Sequence, residues 1–173
     1  MVRGTAGGGR WSFSVRGVAD IIPRAEVRLT AAYQVHPRLR LGVEINPGKS
    51  EVGPMVNLRA LSETASRPAI ILGTSTDRIG TPHGMAYYAT ISKSLRGRPF
   101  SVAPYVGVSY GTFEEEYHAI GGLHLGFTER FSMLTLFDGV NVHPTFTWAI
   151  GRNALTLLLV EGEKVGFAWS GTW

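Results

Sequence analysis

Apolar residues alternate with small or polar ones along most of this chain, and that period of two limits the fold more than any other feature. Successive strand residues point to opposite faces, so many short segments with this period specify sheet and exclude amphipathic helix. In WSFSVRG, Trp11, Phe13 and Val15 alternate with Ser12, Ser14 and Arg16. In EVRLTAAYQV, Val27, Leu29, Ala31, Tyr33 and Val35 oppose Glu26, Arg28, Thr30, Ala32 and Gln34. RLRLGVEI and FSVAPYVGVSY repeat the pattern. KVGFAWSGTW sets Val165, Phe167, Trp169 and Trp173 against Lys164, Gly166, Ala168, Ser170 and Thr172.

The composition of the second face decides what kind of sheet this is. A soluble sheet buries its apolar face and decorates the other with charge. Here the second face is mostly Ser, Gly, Ala and Thr, and only 17% of the chain is charged, against about 25% in an ordinary soluble domain. The opposite geometry accounts for this, with aromatic groups facing lipid and small groups facing a crowded lumen. Seven further strand segments, at 53–61, 69–76, 84–93, 116–127, 130–137, 141–150 and 154–160, join the five above, of which the last two span 99–110 and 164–173, and bring the total to about twelve. Alternation is weakest at 69–76, 130–137 and 154–160, which leaves a range of ten to twelve. The expected fold is all-β: a closed antiparallel up-and-down transmembrane β-barrel over residues 10–173, preceded by a disordered Gly-rich tail at 1–9.

Hairpin parity tests this expectation. A three-residue loop at His36-Pro37-Arg38 pairs Val35 with Leu39 and keeps both apolar faces on one side, whereas a two-residue loop would put them on opposite sides. A two-residue turn at Arg152-Asn153 sets Ile150 opposite Leu155, with Asn153 as the residue that tolerates positive φ. With the C-terminus on the periplasmic side, the outer connectors such as VADIIPR, TDRIGTPH and TFEEE are longer on average than inner ones such as HPR and TER. Both termini then share the periplasmic side.

Several classes are excluded. There is no Cys, so neither a disulfide framework nor a thiolate metal site can form. The net charge is +4, but the arginines are scattered singly and form no basic run, which argues against a nucleic-acid partner. The longest apolar stretch, ALTLLLV, is far shorter than the roughly 20 residues of a spanning helix. The opening MVRGTAGGGRW has no apolar signal core, so either the protein is not exported or Met1 begins a mature form; the barrel pattern favours the second.

The terminal stretch resembles the C-terminal signal strand of bacterial outer-membrane β-barrel proteins, where a polar residue and a glycine precede alternating aromatics and a final aromatic residue. Lys164, Gly166, Phe167, Trp169 and Trp173 carry the resemblance; Gly171 stands where a bulkier apolar residue is commoner. It implies a bacterial outer-membrane destination, surrounding outer-membrane lipid, and recognition by the barrel-assembly machinery. It covers about ten residues and singles out no particular family.

The candidate functional residues are inward-facing. Arg16, Arg28, Arg40 and Arg59, with Glu26 and Glu44, form a lumen charge cluster, and Arg28 falls diagonal to Glu44. This cluster is either an anion-favouring constriction for small anions or a charge ladder that fills a narrow interior. His118, His124 and His143 share the lumen parity, but their spacing across separate strands specifies no metal site, and no metal or cofactor is expected. Some outer-membrane barrels hydrolyse lipid with Ser and His on the outer wall; His143-Pro144-Thr145 has the nearest spacing, but parity turns it inward, so no enzyme is expected. Glu114-Glu115-Glu116 reads as a solvated outer loop, with divalent-ion contact as the alternative. Gly107, Gly121, Gly122 and Gly126 relieve crowding in strands.

The expected function is a narrow outer-membrane channel or a structural scaffold. One alternative is a soluble barrel that binds a hydrophobic ligand, with Trp11, Phe13, Phe146, Trp148, Phe167 and Trp169 turned into its cavity. A second is a barrel module of a larger surface or polysaccharide-export protein.

Overall fold

In a computed structural model, which describes residues 9–95 and 100–173, the alternating segments form twelve antiparallel strands closed into one barrel. They are β1 (Trp11–Val18), β2 (Val27–His36), β3 (Leu39–Asn46), β4 (Glu51–Leu61), β5 (Ala69–Thr76) and β6 (Met85–Ser92), then β7 (Ser101–Gly111), β8 (Glu116–Gly126), β9 (Phe131–Phe137), β10 (Val142–Ile150), β11 (Asn153–Val160) and β12 (Lys164–Thr172). One helical turn, α1 (Pro23–Glu26), and a 3-10 turn at Pro47–Lys49 lie between strands. Each strand pairs with its sequence neighbours, and β1 pairs with β12, so no strand edge is left open. The expected tail at 1–9 lies outside the described residues except for Gly9, as do the start of the expected 99–110 strand and part of the turn before it.

The registers divide the strand residues into two faces. From β1 to β12, Ser14 stands opposite Ser170 and Arg16 opposite Ala168 on one face, with Val15 opposite Trp169 on the other. Followed around the barrel, the outward positions hold no Asp, Glu, Lys or Arg among the described residues. Val106, Trp148 and Phe167 are 65%, 58% and 66% exposed on that face. The inward face carries most of the small and polar groups, together with Ile71, Ile120, Leu134, Leu136 and Leu158; across strands Ser14 and Thr30 share a hydrogen bond, as do Thr147 and Thr156. Where a large ring turns inward, a glycine on the next strand receives it. A Cβ at Gly73 would collide with the Tyr88 ring, and one at Gly122 with the ring of Tyr105.

Two turns differ in detail from the expected hairpins. Only Pro37 and Arg38 form the β2–β3 turn, because His36 pairs with Leu39. A β-bulge between Gln34 and His36 restores the parity that a two-residue turn would reverse, so Gln34 faces Arg40 and the apolar faces coincide. Between β10 and β11 the turn is Gly151-Arg152, with Ile150 opposite Asn153 and Trp148 opposite Leu155. Gly151, not Asn153, takes the positive φ of 60°. Glycine has no Cβ to clash in this conformation, so it takes the position ahead of Asn153.

One end of the barrel carries Trp11 and Trp173 and will be called the terminal end. The other, the loop end, gathers the connectors at 19–26, 47–50, 77–84, 112–115, 138–141 and 161–163.

Candidate functional site

At the loop end, residues 77–84 form a lid over part of the interior, and Arg24 ties it to the wall. The α1 turn places this side chain inside the mouth at 3% exposure. Its Nε donates to Glu51 Oε2 at 2.6 Å, its Nη1 to Thr81 Oγ1 at 2.7 Å and to the Thr81 carbonyl at 3.2 Å, and its Nη2 to the Gly84 carbonyl. All three guanidinium nitrogens are therefore engaged, and two chain segments are tied to the start of β4. Such a planar, multidentate grip suits Arg and not Lys.

The same lid is pinned from the other side of the mouth. Asp77 accepts the N–H of Arg78 at 2.8 Å and that of Phe113 at 3.2 Å. Arg78 forms a two-pronged ion pair with Glu114, which also bonds His118 Nε2 at 3.0 Å. The pairing with Arg78 holds the Glu114 carboxyl below its ordinary range, and the bond to Glu114 raises Arg78. Glu114 is thus part of a latch, a correction to its reading as a purely solvated acidic loop; Glu115 is exposed.

A third tie joins two further connectors. His143, 3% exposed, donates from Nε2 to Asp138 Oδ2 at 2.8 Å, and its Nδ1 accepts the Glu161 N–H at 3.0 Å. These partners assign the Nε2–H tautomer and engage both ring nitrogens, so the ring has no lone pair left to act as a base.

Beneath the lid lies a cavity of about 240 Å³, lined by residues including Arg16, Arg28, Tyr88, Tyr105, His118 and His143, with Asp77, Arg78 and Ile79 at the lid. Arg16 and Arg28 are directly opposed in the β1–β2 register. Arg28 Nη1 lies 3.3 Å from Glu44 Oε1. Glu44, 2% exposed, also accepts the Thr76 N–H at 2.6 Å through Oε2. The β4–β5 pairing stops at Val56–Thr74, so Thr76 lies past the end of that ladder, and there the Glu44 carboxylate accepts its N–H. Arg16 is 9% exposed, and its Nε has no hydrogen-bond partner.

The sequence-derived cluster is therefore only partly one site. Arg16, Arg28 and Glu44 converge in the half of the lumen nearer the loop end. Arg40 bonds Gln34 Oε1 at 3.2 Å, and both it and Arg59 are exposed toward the terminal end. Glu26 is a correction: it ends α1 ahead of β2 and is exposed, so it does not belong to the strand wall. His118 and His143 line the cavity, whereas His124, opposite Ala103, is not part of its lining. No three His, Asp or Glu side chains among the described residues converge as metal ligands would.

In the terminal strand, Lys164 and Gly166 face inward while Phe167 and Trp169 face outward. Lys164 Nζ pairs with Glu161, and Trp169 packs on Trp173 with ring centroids 5.8 Å apart. Trp11 and Trp173 exchange backbone hydrogen bonds at 2.9 and 3.0 Å, which extends the closing seam. The sequence reading missed Arg24, Asp77, Arg78, Asp138 and the two tyrosines. Only the tyrosines left a signal, being bulky residues at inward parity. Compared with known proteins, the chain matches no protein-family model and no curated protein.

Proposed function

We propose that this chain is a bacterial outer-membrane barrel whose polar interior serves as a narrow path for small anions, held shut at the loop end by residues 77–84. The observation that carries the membrane assignment is the outward face, which is predominantly apolar and bears no Asp, Glu, Lys or Arg among the described residues. A closed barrel satisfies every backbone group internally, the condition for strands to lie in lipid. Aromatic groups gather outside at two levels, as transmembrane barrels place them at the two interfaces. Trp11, Tyr33, Phe131, Trp148 and Trp173 lie toward the terminal end, and Tyr87, Tyr110 and Tyr117 toward the loop end. Surrounding lipid and the assembly machinery that reads the terminal strand are its expected partners. The bonding of both His143 ring nitrogens supports a reading without catalysis at that residue.

A hydrophobic-ligand barrel would need Trp11, Phe13, Trp148 and Phe167 inside, and they stand at outward positions. The exposure of Val106 supplies a direct test. In lipid, Val106→Arg costs roughly 2–4 kcal/mol; on a water-exposed surface the same change stays within about 0.5 kcal/mol. Refolding of both forms into phospholipid vesicles and into plain buffer measures this. A monodisperse, folded chain in plain buffer overturns the membrane assignment.

The lid and its latches give the scaffold reading its own support, since a barrel blocked by its own loop needs no solute. Planar-bilayer recordings separate the two. Small anion-preferring steps support the channel, and silence even after the lid is freed supports the scaffold.

A further inference from the structure

We propose that the cavity beneath residues 77–79 is a binding site for one small oxyanion, gripped by the guanidinium groups of Arg16 and Arg28. On the β1–β2 wall of the cavity, two guanidiniums face one paired carboxylate, and one buried donor is unmet. Arg16 and Arg28 face each other across the β1–β2 pair, an arrangement that repels unless something negative lies between. The Glu44 carboxylate pairs with Arg28 at 3.3 Å, and its other oxygen is committed to the Thr76 N–H at 2.6 Å. Arg16 is 9% exposed and its Nε is unpartnered. A buried guanidinium with unmet donors is costly, and an anion relieves that cost.

The other acidic groups at the cavity make their hydrogen bonds to groups other than these arginines. Asp77 is occupied by two backbone N–H groups, and Asp138 by His143 and the N–H groups of Val140 and Asn141. Arg78 is neutralised by Glu114. On the facing wall, Tyr88 accepts a hydrogen bond from Asn57 Nδ2 at 3.2 Å, so its own O–H remains a donor. Tyr105 and Ser109 add further hydroxyls to the lining.

The ligand class follows from shape and size. Two planar guanidinium forks match the paired oxygens of a carboxylate or phosphate, whereas a spherical halide would satisfy fewer donors. At about 30 Å³ per water in the liquid, a cavity of about 240 Å³ holds phosphate or a short dicarboxylate with a few waters. This inference rests on reading the interior as an anion path, because it names the point at which such an anion would pause. Binding in detergent does not depend on that path, so the two stand or fall separately.

The test is calorimetric titration of the refolded chain in detergent micelles with inorganic phosphate and, separately, with succinate. One-to-one saturable binding of at least one probe is expected, and the stronger probe identifies the phosphoryl or the carboxylate class. Arg16→Gln and Arg28→Gln should each weaken binding at least tenfold, while Arg38→Gln in the β2–β3 turn leaves it unchanged. The bound anion should raise the unfolding midpoint of the wild type but not of Arg16→Gln. If Arg16→Gln does not fold, Arg28→Gln decides. No saturable binding of either probe, or equal binding by the folded arginine variants, overturns the proposal. Binding without bilayer conductance would keep the site and remove the channel.

Discussion

Glu44 couples backbone to charge, since one oxygen completes the end of β5 and the other faces Arg28. Glu44→Ala therefore frees a buried N–H and leaves Arg28, directly opposed to Arg16, without its paired counter-charge. Loss of one member of a buried ion pair costs roughly 3–5 kcal/mol, and partial exposure of Arg28 puts this case near the lower end. Urea unfolding of the variant in vesicles measures it; a cost within about 0.5 kcal/mol would show that the carboxylate is dispensable. Asp138 makes a different prediction, about acid. Burial pushes its carboxyl up, but hydrogen bonds from His143, Asn141 and Val140 outweigh burial and hold it below the ordinary carboxylate range. Because the folded value is depressed, the stabilisation is fully present above the unfolded value of about 3.9 and is lost as pH falls through the lower folded value. Unfolding midpoints should decline below about pH 4, and Asp138→Asn should flatten that decline while lowering stability at neutral pH by about 1–3 kcal/mol. An identical acid profile in the variant would assign the decline elsewhere.

At the scale of elements, the strands and the lid behave as separate units, because the lid at 77–84 is held by side chains and the strands by continuous backbone ladders. Arg24→Ala removes every latch on the α1 side at once. Hydrogen exchange should then accelerate in residues 78–84 while β2, β3 and β4 keep their protection, and bilayer conductance should rise if the lid is the barrier. Uniform loss of protection would show that the lid is integral to the barrel. The contrast between these units also explains what the sequence revealed. Strands such as 11–18 and 164–172 could be placed from alternation because facing is a local property with a period of two. The bulge at Gln34–His36 was hidden because turn length alone does not report an extra residue in the strand before it. The lid was hidden for a different reason: Arg24 grips Thr81 across 57 positions and Glu51 across 27. Pairings at such separations exist only once the barrel has brought the connectors together. Likewise Arg16, Arg28 and Glu44 could be assigned to one face by parity, but their division from Arg40 and Arg59 depends on height along the lumen, which parity does not encode.

For the whole molecule, closure and orientation form one problem. Twelve strands return the chain to the end where it starts, and the Trp11–Trp173 backbone pair joins the first strand to the last. The seam that completes the barrel is thus made by the aromatic strand that resembles an assembly signal, so insertion would carry the loop end across the membrane first and leave the seam on the assembly side. On this argument residues 112–115 reach the cell exterior and the 127–130 turn remains in the periplasm. The absence of native cysteine makes the topology measurable by single substitutions. Glu115, exposed with φ of 56° at a connector tip, and Arg130, exposed in the opposite turn, are suitable sites. Glu115→Cys should react with a membrane-impermeant maleimide in intact cells, and Arg130→Cys should react only after the outer membrane is opened. Reaction of Arg130→Cys alone in intact cells would invert the barrel. Protection of both sites until the inner membrane is also broken would place the chain somewhere other than the outer membrane.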